Sequence, residues 1–208
     1  MSAGAAPSGT APSLWIVAGA NGVGKTTFAE TEIAALSGSL GFVNLDLIAR
    51  GISPLDPNKE QVRAARIAID LMQELIARRE TFSIETTLAG RGHKGLIQRA
   101  KRVGYVVHLL YFFVSTLNEA LNRIARRVAN GGHDVPKADA TRRFERSLEQ
   151  FGVYAELCDS WRVYNTDDPI ARLCASGAFS AIEYRATEAD LALPEPIDRW
   201  LKARAPQA

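Results

Sequence analysis

Short apolar runs alternate along this chain with longer stretches in which apolar residues recur every three or four positions. The runs at 14–18, 41–44, 81–84, 106–114 and 162–164 are apolar or β-branched and are bounded by polar residues or glycine, which predicts strands. Helical periodicity predicts helices over 25–36, 58–79, 92–101, 117–129 and 137–151. Over 58–79 the apolar stripe is Val62, Ala65, Ile69, Met72 and Ile76, which is expected to pack on the sheet. Strands and helices in this order form βαβ units, so the fold class expected is α/β, a three-layer sandwich around a central, mostly parallel sheet. After Asp168 the pattern weakens, and a late strand over 179–185 and a terminal helix over 196–203 complete it. Asn130, Gly131, Gly132 and Pro136 break the chain between the helices at 117–129 and 137–151.

Composition narrows the classes. At 208 residues, 47% hydrophobic and 23% charged, the chain has the make-up of one globular domain. A net charge of +2 provides no bulk field for nucleic acid, so such a partner is not expected. Cys158 and Cys174 have no metal-ligand spacing and no disulfide framework, as suits a reducing cytoplasm. Residues 1–13 are mostly small residues and proline, expected to be a flexible tail and not a signal or transit peptide. The longest apolar stretch, 105–114, falls well short of the roughly 20 residues of a membrane span.

The chemistry enters with Gly19-Ala20-Asn21-Gly22-Val23-Gly24-Lys25-Thr26, which directly follows the first predicted strand. A glycine, four residues and Gly-Lys-Thr between a strand and a helix make a phosphate-binding loop. Converging amide N–H groups need backbone at unusual dihedrals without β-carbons in the way, and the helix beginning at Lys25 adds its positive dipole end. Lys25 is expected on the β- and γ-phosphates, the Thr26 hydroxyl on Mg²⁺, and Thr27 near the α-phosphate. The fold expected is therefore that of a P-loop NTPase or kinase, one domain over 14–208 with ATP as phosphoryl donor and Mg²⁺ as cofactor.

Ligands of open α/β sheets sit beyond the carboxyl ends of strands, where this chain places Asp46 and Glu85. Asp46 is the candidate base toward an accepting hydroxyl, and its plain alternative is a cap on the turn into 47–50. Glu85 is a candidate for metal or substrate, and its alternative is an ion pair with an arginine such as Arg91. Arg123, Arg126 and Arg127 end one helix while Arg142, Arg143 and Arg146 begin the next, so the glycine-hinged pair resembles a lid at about 127–147. A lid would exclude water and bring charge to the transferring phosphoryl group, with Arg127 and one of Arg142, Arg143 or Arg146 favoured. Most of the six have a second reading as solvated pairs, such as Arg142 with Glu145. His133 is a candidate substrate contact or a turn residue, whereas His93, His108, Trp15 and 111–113 are expected to be structural.

Over about 14–168 the chain resembles the zeta toxin family of kinases, including members described as UDP-N-acetylglucosamine kinases. The carriers are the glycine loop with Thr27, Phe42 to Asp46, Ile84-Glu85-Thr86-Thr87-Leu88-Ala89-Gly90, Gly104-Tyr105, and Arg127-Val128 through the Gly131-Gly132-His133-Asp134-Val135-Pro136 break to 142–148. The resemblance implies Asp46 as base toward a sugar hydroxyl, Glu85 and Thr87 on the sugar nucleotide, and Arg127 with Arg142 or Arg143 on ATP phosphates. It also implies a UDP-activated amino sugar as acceptor and a small antitoxin as partner. Tyr164-Asn165-Thr166-Asp167-Asp168 stands where relatives tend to carry an Asp-Asn-Ser-like stretch. Two other readings keep the loop: a kinase for another small molecule, such as a nucleoside or sugar, and a nucleotide-dependent regulatory switch.

Overall fold

The computed structural model describes residues 11–28, 41–132, 134–187 and 192–205. Of the tail expected over 1–13, residues 1–10 lie outside the described residues, as do the helix expected beyond Phe28 and the contact expected of His133, while Ser13 already opens the first strand. In chain order the elements are β1 (Ser13–Ala18), α1 (Lys25–Phe28), β2 (Gly41–Val43), α2 (Leu45–Ile52), a 3₁₀ turn (Pro57–Glu60), α3 (Gln61–Ala77), β3 (Phe82–Thr86) and α4 (Lys94–Arg102). There follow β4 (Val106–Phe113), α5 (Leu117–Ala129), α6 (Lys137–Ala155), β5 (Ser160–Asn165), β6 (Arg172–Ala178), β7 (Ala181–Arg185) and α7 (Glu195–Lys202). One sheet holds the seven described strands in the order β2-β3-β1-β4-β5-β6-β7. The first five are mutually parallel, while β6 and β7 add as antiparallel strands at one edge.

The period-two alternation of a strand explains the layers. Leu14 and Ile16 of β1, with Leu109 and Tyr111 of β4, join one core with residues of α3, α4, α6 and α7. Val17, Leu110 and Phe112 point the other way and pack with Ala120 of α5 and Phe28 of α1. Both faces of the central strands are therefore covered, which is why these strands read as unbroken apolar runs.

Several expectations need correction. The α3 stripe is rotated: Ala64, Ala68, Met72, Leu75 and Ile76 are buried, while Val62 and Ile69 are 68% and 49% exposed. Two alanines let the helix approach the sheet closely, and Ile69 is left to a cleft. Helix α2 stands where only a turn over 47–50 is expected, and Asn44 caps it by accepting from the N–H groups of Asp46 and Leu47 at 2.9 and 3.1 Å. Strand β6 was not foreseen, and the late strand begins at Ala181 because Phe179, with φ of 50°, belongs to the turn before it. Trp15 is half-buried, stacked on His108 at 4.1 Å between ring centroids.

Candidate active site

Sheet order assembles the site. Because β3 lies between β2 and β1, the carboxyl ends of three parallel strands put Asn44, Glu85 and the glycine loop side by side. Register pairs Val17 with Glu85 and Ala18 with Thr86, so Glu85 emerges where β1 gives way to the loop. Its Oε2 accepts hydrogen bonds from the Thr26 hydroxyl and from Asn44 Nδ2, both at 2.9 Å. Its Oε1 stands 3.9 Å from the Lys25 ammonium. The Arg91 pairing considered for Glu85 is replaced by these contacts.

Lys25 is only 6% exposed, and its Nζ donates to the Ala20 carbonyl at 2.7 Å. Burial pushes its pKa below the ordinary lysine value; Glu85 and Asp46 pull it back up, and Arg127 and Arg143 push it further down. Gly24 has φ of 82°, and a β-carbon there would meet nothing within 4 Å, so its backbone borders open space. A loop of this conformation, with a buried ammonium and a helix start behind it, fits a polyphosphate. For Mg²⁺ the hard oxygens are the Thr26 hydroxyl and the Glu85 carboxylate. Among the described residues no group of three His, Cys, Asp or Glu side chains could hold a metal, so the shell has to be completed by phosphate oxygens and water.

Two cavities of about 590 and 770 Å³ open from this point. Both are lined by Asn21, Lys25, Asn44, Asp46, Gln61 and Glu85. The larger branch takes in Gly22, Gly24, Thr26, Thr27, Arg123, Arg127 and the Gly131–Gly132 break. The smaller runs between α3 and α4 and adds Ala65, Ile69, Met72, Thr86, Thr87, His93, Leu96, Arg99 and Arg143. Asp46, exposed in the first turn of α2, stands where the branches meet.

The predicted site residues divide accordingly. Asp46, Lys25, Thr26, Thr27, Glu85, Thr87, Arg127 and Arg143 all line the cleft, and Arg143 Nη1 reaches Asn21 Oδ1 at 3.4 Å. Arg142 lines neither branch, because it pairs with Asp139 at 2.8 Å on the exposed side of α6. Gly19, Ala20 and Val23 shape the loop from behind: Val23 is buried, and its carbonyl accepts from the Thr166 hydroxyl at 2.9 Å.

Three residues of the cleft count for more than the sequence suggests. Asn44 holds α2 with its oxygen and Glu85 with its nitrogen, and an asparagine ahead of a helical turn was the readable sign. His93, expected to be structural, lines the smaller branch with Nε2 3.0 Å from Thr86 Oγ1, and burial lowers its pKa. Arg123 lines the larger branch, held by Glu119 at 2.6 Å and by the Asp167 carbonyl at 2.9 Å. The 165–167 segment binds the loop, the end of β4 and α5 together, since Asp167 also accepts from the Ser115 N–H at 2.9 Å.

Known proteins agree with this architecture. An uncharacterized protein of Haemophilus influenzae is 32% identical over 127 residues, which are 58% of this chain and 89% of that protein. Among solved structures, a chain of the AvrRxo1-ORF1:AvrRxo1-ORF2 complex with sulphate ions superposes with a TM-score of 0.67 at 16% identity, over 96% of this chain and 66% of its own length. The same complex with ATP gives 0.67 at 17% identity, over 96% and 65%. This chain thus spans just under two thirds of those AvrRxo1 chains. A chain of the PezAT chromosomal toxin-antitoxin system of Streptococcus pneumoniae gives 0.61 at 16% identity, over 95% and 86%. At such identities the structural likeness concerns the fold. The family model described as an AAA domain (AAA_33) matches residues 14–151, more than half of the chain. With its glycine loop seated between β1 and α1, the chain belongs to this AAA domain family and is a P-loop kinase-like domain.

Proposed function

We propose that this protein is an ATP-dependent kinase, zeta toxin-like, that transfers a γ-phosphoryl group to a sugar hydroxyl of a UDP-activated amino sugar such as UDP-N-acetylglucosamine. The observation that carries the reading is the position of Asp46 at the junction of two branches, beside Lys25 and Glu85. A switch ATPase needs a place for its nucleotide and none for an acceptor. Here a second branch of about 590 Å³, with an apolar wall of Ala65, Ile69, Met72 and Leu96, leads away from the loop. Its size lies within the range of small-molecule sites, roughly 300–1,000 Å³, and suits an acceptor larger than a simple alcohol.

In this reading the larger branch receives the triphosphate. Lys25 leaves the Ala20 carbonyl for the β- and γ-phosphates, and amides from Gly22 to Thr26 hold the remaining oxygens. Thr26, with Glu85 behind it, would hold Mg²⁺, which would neutralise charge on the phosphates. Asp46 orients the accepting hydroxyl and takes its proton as the oxygen attacks the γ-phosphorus, while the bond from that phosphorus to the β,γ-bridging oxygen breaks and ADP leaves. Arg127 and Arg143, from the helices flanking the break, add positive charge around the transferring group, and closure of that lid excludes water. A small antitoxin is a fitting partner, since PezAT is a toxin-antitoxin system, and the cytoplasm fits a nucleotide substrate.

The test is mass analysis of products from ATP and an acceptor panel: UDP-N-acetylglucosamine, other UDP-sugars, free sugars and nucleosides. Phosphorylation of the UDP-amino sugar is expected, and Asp46→Asn should lower transfer by at least about 100-fold while ATP affinity stays within about twofold. ATP turnover independent of every acceptor, or an Asp46→Asn variant with full transfer, overturns the reading.

A further inference from the structure

The loop between β3 and α4 builds a small device that the phosphoryl chemistry does not use. Thr86 Oγ1 accepts from the Leu88 N–H at 3.1 Å, with Leu88 at φ of 57°. Tyr154 of α6 clamps the same loop by donating to the Gly90 carbonyl at 2.8 Å. At its far end His93 folds back, so that its Nε2 lies 3.0 Å from Thr86 Oγ1. Leu88 occupies one acceptor position of that hydroxyl, and the hydroxyl's own proton then has Nε2 to point at. When the hydroxyl donates in this way, Nε2 accepts and the proton of the neutral ring resides on Nδ1, which has no partner among the described residues. Burial lowers the pKa of His93 and so favours the neutral ring. Both Thr86 and His93 line the branch between α3 and α4, which Ala65, Ile69 and Leu96 also line.

We infer that His93 is a specificity-determining residue, donating a hydrogen bond from Nδ1 to a carbonyl or hydroxyl oxygen of the phosphoryl acceptor. The inference rests on the acceptor-branch reading given under Proposed function. It selects acceptors that present an oxygen at this point and disfavours those that present an amine, because a donor cannot face a donor. The strain at Leu88 and the Tyr154 clamp keep the ring in place, so that its orientation does not depend on substrate.

Two measurements test it. In long-range ¹H–¹⁵N spectra of the ligand-free protein, His93 is expected to be neutral at pH 7 with its proton on Nδ1; an Nε2–H ring or an imidazolium overturns the inference without any acceptor. In steady-state kinetics with UDP-N-acetylglucosamine, His93→Phe is expected to raise the acceptor KM about fivefold to tenfold with the ATP KM unchanged, the loss of one hydrogen bond. His93→Asn, whose amide can donate from nearly the same place, should recover most of that loss. Equal damage by both variants, or parallel changes in the ATP KM, marks a purely structural residue and refutes the inference. If the wild type phosphorylates no member of the acceptor panel, the proposed function fails and this inference fails with it. If the wild type transfers and His93→Phe matches it, only the His93 assignment falls.

Discussion

Asn44 offers the sharpest test of how this site is held. The residue is only 5% exposed and serves two elements of the site: Oδ1 accepts from the backbone N–H groups of Asp46 and Leu47, and Nδ2 donates to the Glu85 carboxylate. Asn44→Ala removes both functions. Loss of an N-cap costs about 1 kcal/mol, and loss of a hydrogen bond to a charged group about 1.5–3 kcal/mol, so a destabilisation of roughly 2.5–4 kcal/mol is expected. Asn44→Asp separates the two, because a carboxylate caps α2 as well as the amide did but turns a negative charge toward Glu85. Two unit charges about 4 Å apart at an effective dielectric of about 20 repel by about 4 kcal/mol, which drives Glu85 away from Thr26 or forces one carboxyl to take a proton. The variant should therefore keep helix α2 while losing transfer by about 10- to 100-fold, the scale of an ångström-sized misplacement. Urea denaturation gives the stability of both variants, and product formation from ATP and UDP-N-acetylglucosamine gives the transfer rate. An Asn44→Asp protein with wild-type transfer, or an Asn44→Ala protein within about 0.5 kcal/mol of wild-type stability (about half of one ordinary net hydrogen bond), refutes the reasoning.

Two further outcomes follow from burial. Because the pKa of Lys25 is lowered in the free protein and phosphates raise it, the bound state holds more protons between those two values. Nucleotide affinity should thus weaken as pH rises through that window, with proton uptake visible as a buffer-dependent binding enthalpy; proton release contradicts the sign. Trp161 is fully buried, meets Trp200 at 5.3 Å between ring centroids and donates from Nε1 to the Phe179 carbonyl at 2.8 Å. Trp161→Ala should cost about 3–5 kcal/mol in denaturant unfolding, and a loss below about 1 kcal/mol is incompatible with this packing.

Local pattern made the five parallel strands, the helices α5 and α6 and the phosphate loop legible, because each depends on neighbours within a few residues. Where contacts are distant, the pattern was silent or misleading. Strand β6 carries Cys174, Ala175 and Gly177 with no β-branched residue, and it is a strand because it pairs with the edge of β5. The α3 stripe was misread because an apolar residue facing a ligand cleft and one facing the core share the same period. Ile69, which lines the cleft, and Val62, which is exposed, follow the helical repeat as faithfully as Ala68 and Met72.

Within the site, the division follows the same line. Gly19 to Thr26 announce phosphate binding from the sequence alone, since the loop's dihedrals and its helix start are set by adjacent residues. That Glu85 meets Thr26 across 59 positions, that Arg143 faces Asn21 while Arg142 turns to Asp139, and that His93 closes on Thr86 were decided by the tertiary structure. The order of strands and the rotation of helices about their axes are set by packing free energy summed over the whole chain. No short window of residues contains that sum.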